Sequence, residues 1–228
     1  MIYCTTRADT SGSRSVYALL EHAYRLNYEG DLPEVKKTFH GKPYFPDLPD
    51  VHFSLSHSST HVLCALSGSP VGCDIESPRA ISRRAIEYFC SAEELELFTP
   101  LELWVLKESY VKLFGKTIAS IRDLRFSKHE DGTPYLSAGR VDGAHSATPG
   151  HERGPAALTE EQVNLTLVRS KLRYTAQKNR PPDTCYTAQE NRPPDTPPDI
   201  RSKLYYIGDC LAAVCSECDD LPDSVVLI

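Results

Sequence analysis

The chain has 228 residues, of which 40% are hydrophobic and 25% charged, with a formal net charge of -6. That is long enough for one large or two small domains with a real core. The acidic balance excludes a general nucleic-acid coat and leaves room only for local basic patches. No run approaches the ~18 apolar residues of a membrane span. The opening stretch MIYCTTRADTSGSRS lacks the apolar centre of a signal peptide. The expectation is a soluble, cytoplasmic protein without membrane or nucleic-acid partners.

In chain order, SVYALLEHAYRLNY (15 to 28) repeats apolar residues at helical spacing. HGKPYF then carries Lys42 between Gly41 and Pro43. HFSLSHS (52 to 58) alternates and predicts a strand ending in a polar turn. HVLCALS and VGCDIE predict a hairpin about Gly68, Ser69 and Pro70. A helix is expected over 82 to 89, and Ser91 with Glu94 forms a capping-box pattern for another. LELWVLKESYVKLFG (101 to 115) predicts a strong helix stopping at Gly115. LRFSKHEDGTPYLSA predicts strand, turn at Asp131 and Gly132, strand.

Beyond 139 the pattern weakens into a Gly- and Pro-rich stretch and then a duplication. YTAQKNRPPDT (174 to 184) returns as YTAQENRPPDT (186 to 196), flanked by RSKLRY and RSKLYY. The double prolines exclude a helix or central strand, and two copies are too few for a solenoid. Residues 169 to 200 therefore read as a disordered, duplicated surface insertion whose removal would join two strands, NLTLV and RSKLYYIGDCLAAVCSE.

The eight cysteines, at positions 4, 64, 73, 90, 185, 210, 215 and 218, read as free thiols. CLAAVCSEC spaces Cys210, Cys215 and Cys218 like part of a metal knuckle, but no fourth ligand follows at a fitting distance. Small buried hydrophobes are the simpler reading.

Two carboxylates carry the first chemical signal. Asp74 and Glu76 are two apart on a strand and so share a face. They are exposed on a strand edge, or paired with arginines such as Arg79, or ligands of a hard divalent ion. Trp104, Glu108 and Lys112 recur every four residues and form one helix stripe. Their helix is otherwise largely apolar, which sets Glu108 and Lys112 at the edge of a core. GKPY offers a stiff turn with a cation, and LSHS offers hydroxyls and an imidazole at a strand end; both suit phosphate, and each alone also reads as a solvated turn.

Taken in order, GKPY, FSLSHS, VGCDIE and WVLKESYVK resemble the 4'-phosphopantetheinyl transferase superfamily, of the surfactin-synthetase-activating type, over about residues 35 to 137. The resemblance implies an α/β (α+β) monomer of two similar halves, 1–70 and 71–228, related by a pseudo-two-fold axis with the active site in the cleft between them. It implies Mg²⁺-dependent transfer of the phosphopantetheine arm of coenzyme A to a serine of an acyl or peptidyl carrier protein, releasing 3',5'-ADP. By the same resemblance Asp74, Glu76 and Glu108 are metal ligands, and Lys42, Ser56, His57 and Lys107 contact coenzyme A. Glu108 and Lys112 are implied as the catalytic base and a cation on the pyrophosphate. Ser54 stands where the family often has asparagine, and motif alone does not place the basic residue for the adenosine 3'-phosphate among Arg7, Arg14 and Arg25. Arg79, Arg83, Arg84 and Lys116 are candidates for a basic carrier-docking surface. Two other functions use the same residues: a metal-dependent nucleotide pyrophosphohydrolase, and a carrier-binding module with an impaired site.

Overall fold

The computed structural model describes residues 1–7, 12–139, 200–217 and 221–228. The duplicated stretch and NLTLV lie outside the described residues. The elements begin with β1 (Ile2–Thr6), α1 (Gly12–Asn27), β2 (Lys36–Lys37), β3 (Pro43–Tyr44), β4 (His52–His57), β5 (His61–Ser67) and β6 (Val71–Glu76). They continue with α2 (Arg83–Phe89), α3 (Ala92–Leu97), α4 (Pro100–Leu113), a 3-10 turn (Ile118–Asp123), β7 (Arg125–Lys128) and β8 (Pro134–Ala138). The last are β9 (Arg201–Ile207), β10 (Cys210–Ser216) and β11 (Val226–Leu227). The class is mixed α/β, and no helix among the described residues is long and apolar enough to cross a membrane.

One sheet has the order β11-β1-β5-β4 and the other β6-β10-β9; β2–β3 and β7–β8 are separate hairpins. Strand alternation sorts the core into three layers. Tyr3, Val62, Cys64 and Leu66 face α1 with Val16, Leu19 and Leu20. Ile2, Cys4, Leu63 and Ala65 face Cys73, Ile75, Ala212 and Val214 of the second sheet. Leu211, Ala213 and Cys215, on the opposite face of β10, pack on α4 through Leu103, Leu106 and Tyr110. Cys210 and Cys215, five apart, thus face different layers and do not form a knuckle together.

The expected hairpin about Gly68 is not formed. β5 is already paired on both edges, by β1 and β4, and β6 pairs instead with β10 in the other sheet. The other edge of β6 is closed by side chains of β4: Cys73 N donates to Ser54 Oγ at 3.0 Å and Ile75 N to Ser56 Oγ at 3.3 Å. This serine edging lays the two sheets side by side where β4 meets β6, and it spares β6 an open ladder.

The helices follow their caps. α3 starts on the Ser91–Glu94 capping box, and α4 starts on a second box, Thr99–Glu102, with Pro100 in the first turn. α4 ends before Gly115, whose φ of +60° is the left-handed conformation that glycine adopts at little cost. Gly72 has a different task. A Cβ there would lie 2.0 Å from Ser109 O and 2.3 Å from Leu113 N, so the missing side chain lets α4 lie directly on β6. That contact brings the acidic strand under the lysine-bearing helix.

Candidate active site

Gly72, Asp74 and Glu76 share the face of β6 that meets α4. Asp74 is 5% exposed. Its Oδ1 accepts from Lys112 Nζ at 2.7 Å and from Ser56 Oγ at 2.7 Å. Lys112 Nζ also donates to Ser56 Oγ at 3.0 Å, which closes a three-residue ring between β4, β6 and α4. Asp74 Oδ2 is buried and has no hydrogen-bond partner. A buried carboxylate oxygen left unpaired is costly, and such an orphan points to a missing cationic or donor partner.

Glu108, one turn before Lys112, is half-buried. Its pKa is pushed up to about 7, first by burial and then by the charges of Asp74 and Glu76, against the opposing pull of Lys112. For Lys112, burial pulls the pKa down, but Asp74 above all outweighs it and the net direction is up. Lys112 therefore stays an ammonium while Glu108 is poised between its acid and its base. Glu76 is held by Arg79, which donates to Oε1 at 2.9 Å and to Oε2 at 3.2 Å. The Arg79 guanidinium also lies over the Trp104 ring, 5.3 Å from its centroid, so Trp104, Arg79 and Glu76 form a rim beside the carboxylates.

Asp74 and Glu76 are near enough to Glu108 for their charges to raise its pKa. The three are not drawn together to the mutual 4.8 Å spacing of a closed ligand cluster, which among the described residues is met by His61, Asp209 and Cys210. An open set of oxygen donors suits a hard divalent ion that keeps part of its water shell.

The remaining expected site residues lie in different places. Ser56 is in the centre, as a partner of Asp74 and Lys112. His57, the next residue of β4, is exposed and its ring covers the start of α1, where a Cβ on Gly12 would come within 2.7 Å of it. Arg7 reaches the same corner through Ser58 O at 3.1 Å, and Arg14 is exposed in the first turns of α1. Arg25 is near the other end of that helix, paired with Glu21 at 2.9 Å, about 16 Å along the axis from Arg14. Lys42 donates to Leu113 O and Val71 O, so it caps the carbonyl end of α4, and burial lowers its pKa to about 8.

Lys107 departs from the expectation of a lysine beside the cleft. It is 0% exposed, ion-paired to Glu94 at 2.9 Å, and bonded to the carbonyls of Phe89 and Leu124. Glu94 in turn accepts from Ser91 N and Phe126 N, each at 2.9 Å. Lys107 thus joins α3, α4 and β7 in the core. Sequence spacing misses this because its partner is 13 residues away on another helix. The Arg79–Trp104 contact and the Ser56–Asp74 bond also have no local signal; they arise only when β4, β6 and α4 meet.

A paired Asp and Lys, an orphaned carboxylate oxygen and a poised Glu make a site suited to phosphate chemistry on a divalent ion, and similarity to known proteins gives a matching class. The family model of the 4'-phosphopantetheinyl transferase superfamily matches residues 70–165. The chain is 40% identical over 163 residues to the 4'-phosphopantetheinyl transferase gsp of Aneurinibacillus migulanus, covering 65% of this chain and 68% of that protein. It is 38% identical over 132 residues to the 4'-phosphopantetheinyl transferase Sfp of Bacillus subtilis (strain 168), covering 53% of this chain and 58% of the relative. A further relative is the 4'-phosphopantetheinyl transferase psf-1 of Bacillus pumilus, 40% identical over 129 residues, 52% of this chain and 54% of that one. The chain belongs to the 4'-phosphopantetheinyl transferase superfamily. It spans somewhat more than half the length of several of the curated relatives it matches.

Proposed function

We propose that this protein transfers the 4'-phosphopantetheine arm of coenzyme A to a serine of an apo carrier protein, with Mg²⁺, releasing 3',5'-ADP. The observation that carries this reading is the Asp74–Lys112–Ser56 ring with its orphaned Asp74 Oδ2, beside Glu108. Named 4'-phosphopantetheinyl transferases among the relatives support it.

Asp74, Glu76 and Glu108 would hold the ion, and the orphaned oxygen of Asp74 and the raised pKa of Glu108 fit a cation between them. When bound, Mg²⁺ neutralises charge that builds on the pyrophosphate as the leaving group departs. Lys112 places a permanent positive charge beside the same oxygens, held in position by Asp74 and Ser56. Glu108, whose pKa burial lifts to about 7 in the metal-free chain, would take the proton of the carrier serine hydroxyl as that oxygen attacks the phosphorus next to pantetheine. Glu76 is steadied by Arg79, whose guanidinium lies over the Trp104 ring. His57, Arg7 and Arg14 gather at the N-terminal end of α1 and would face the 3'-phosphate of the substrate. Lys42 supports this arrangement by fixing the end of α4, and Lys107 by fixing its middle.

The strand orders support two similar halves. β1, α1, β4 and β5 give a sheet ordered β1-β5-β4, and β6, α4, β9 and β10 give β6-β10-β9, the same order with a helix after the first strand. We place the boundary at residue 70, between β5 and β6, with the substrate cleft along the β4–β6 meeting line. The carrier would dock beside the exposed Arg84, Tyr88 and Ile118, which line a groove with Trp104. A cytoplasmic monomer acting on carriers, without nucleic acid or membrane, completes the reading.

The test is to incubate the protein with coenzyme A, Mg²⁺ and a panel of apo acyl and peptidyl carriers and to weigh the carriers. One or more should gain a single phosphopantetheine group. No gain on any carrier, from a protein that binds coenzyme A, would favour a carrier-binding module without activity.

A further inference from the structure

A second cluster of metal-ligating side chains lies away from Asp74, where the two sheets meet at the start of β5 and of β10. The Cys210 thiol is 0% exposed. His61 Nδ1 is 3.3 Å from its Sγ, and Asp209 Oδ1 is 3.7 Å from it. The ligand atoms of all three lie within 4.8 Å of one another. Zn–S bonds of ~2.3 Å and Zn–N or Zn–O bonds of ~2.0–2.1 Å at tetrahedral angles put ligand atoms about 3.6 Å apart, close to these spacings.

The surroundings argue against a thiol simply buried as a small hydrophobe. Three hydroxyls also point at the sulfur: Thr60 Oγ1 at 3.3 Å, Ser58 Oγ at 3.7 Å and Ser77 Oγ at 3.7 Å. A neutral thiol is a weak acceptor and has one proton to give. A thiolate bound to a cation accepts well from whichever of these hydroxyls turns its proton to it, as a neutral thiol does not. Thr60 Oγ1 is also 2.9 Å from His61 Nδ1, beside the position that a fourth ligand would take.

The ligands stand on short, fixed turns. Ser58 Oγ accepts from His61 N at 3.0 Å and Thr60 N at 3.3 Å, which sets the turn before β5. Gly208, with φ +60°, makes the tight β9–β10 turn that presents Asp209 and Cys210 side by side. The cluster is reached from this turn, because Asp209 is exposed and His61 half-buried.

We propose that His61, Asp209 and Cys210 form a zinc site that fastens the β9–β10 turn of one sheet to the first residue of β5 in the other. The mixed N, S and O donor set selects zinc over Mg²⁺ and Ca²⁺, which take oxygen. Binding expels the thiol proton to solvent, and one thiolate and one carboxylate balance the two charges of the ion. A water held by Thr60 Oγ1 completes the tetrahedron. The site is structural and independent of phosphopantetheine transfer.

The test uses the full chain, stripped of metal with a chelator and titrated with Co²⁺ and then Zn²⁺. Co²⁺ should give a sulfur-to-cobalt charge-transfer band that saturates at one ion per chain and is displaced by Zn²⁺, and Zn²⁺ should raise the melting temperature. Cys210→Ser should lose the band. Asp209→Asn, an exposed change that spares the fold, should weaken zinc binding at least about 100-fold, since loss of even a supporting group costs 10–100-fold. No band with the wild-type chain, or a band unchanged in Asp209→Asn and in any folded Cys210→Ser, would overturn the proposal and leave the cluster as a hydrogen-bonded thiol or assign the band to another cysteine.

Discussion

Lys112 Nζ lies 2.7 Å from Asp74 Oδ1, while Asp74 Oδ2 is buried without a partner. One oxygen is neutralised within the chain, and in the function proposed above the other would take the ion. Asp74→Asn keeps the shape but removes the charge that holds Lys112 and that would hold the proposed ion. Transfer should fall by about 10²–10³-fold, the usual loss when one preorganised electrostatic contact goes, and excess Mg²⁺ should not restore it. Steady-state rates with the unfolding midpoint measured alongside would check this; a rate within a few-fold of wild type would remove Asp74 from the centre.

Glu108 sets the pH response. Burial, with Asp74 second, lifts its pKa from 4.5 to about 7. As a base it must be ionised: in the metal-free chain its titration should centre near about 7, and with Mg²⁺ bound kcat should rise with pH at lower values than that and then level. The sign for stability is the reverse. The folded chain holds this proton more tightly than the unfolded one, so the contribution is full below about 4.5 and is lost as pH rises to about 7. Glu108→Gln should lower the rate, flatten the rise and remove this part of the stability decline in metal-free protein. A pH–rate profile that keeps the wild-type rise in the variant would assign the titration to another group.

Lys107 separates a structural lysine from a substrate contact. Lys107→Met leaves Glu94, 2% exposed, as a buried charge with only backbone donors from Ser91 and Phe126. Urea unfolding should show a loss of about 3–5 kcal/mol, partly regained by adding Glu94→Gln. A variant with wild-type stability and a raised KM for coenzyme A would instead put Lys107 at the substrate.

Carrier docking should depend on local positive charge, because the protein is acidic as a whole. Arg83 is paired with Glu87 at 2.8 Å, whereas Arg84 lines the groove beside Trp104. Arg84→Glu should raise KM for the carrier several-fold and leave that for coenzyme A unchanged, and salt should weaken the wild type as the Debye length falls from ~10 Å at 0.1 M. Equal changes in both constants would move the docking surface elsewhere.

Much of the site could be read from local periodicity. The i, i+2 spacing of Asp74 and Glu76 and the i, i+4 spacing of Glu108 and Lys112 are fixed by strand and helix geometry, so their shared faces follow from the chain alone. The Ser91–Glu94 cap was legible for the same reason. What failed was tertiary. Gly68, Ser69 and Pro70 look like a hairpin turn, but strand partners are chosen by which edges remain open, and β10 is more than 130 residues further on. Lys42 and Lys107 look like free cations because lysines are mostly exposed; only the packed structure supplies the carbonyls and the Glu94 that hold them. Nothing in CLAAVCSEC indicates His61 as a neighbour of Cys210, since they belong to different sheets and lie 149 residues apart.

In the proposed reaction the Asp74–Lys112 site passes a phosphopantetheine group to a protein serine rather than to water. The direct measurement is 3',5'-ADP release from coenzyme A and Mg²⁺ with an apo carrier, with the same carrier bearing alanine at its modified serine, and with no carrier. Release should equal the amount of carrier modified, with none above background in the other two. Equal release without a carrier serine would contradict that reaction and identify a coenzyme A pyrophosphohydrolase.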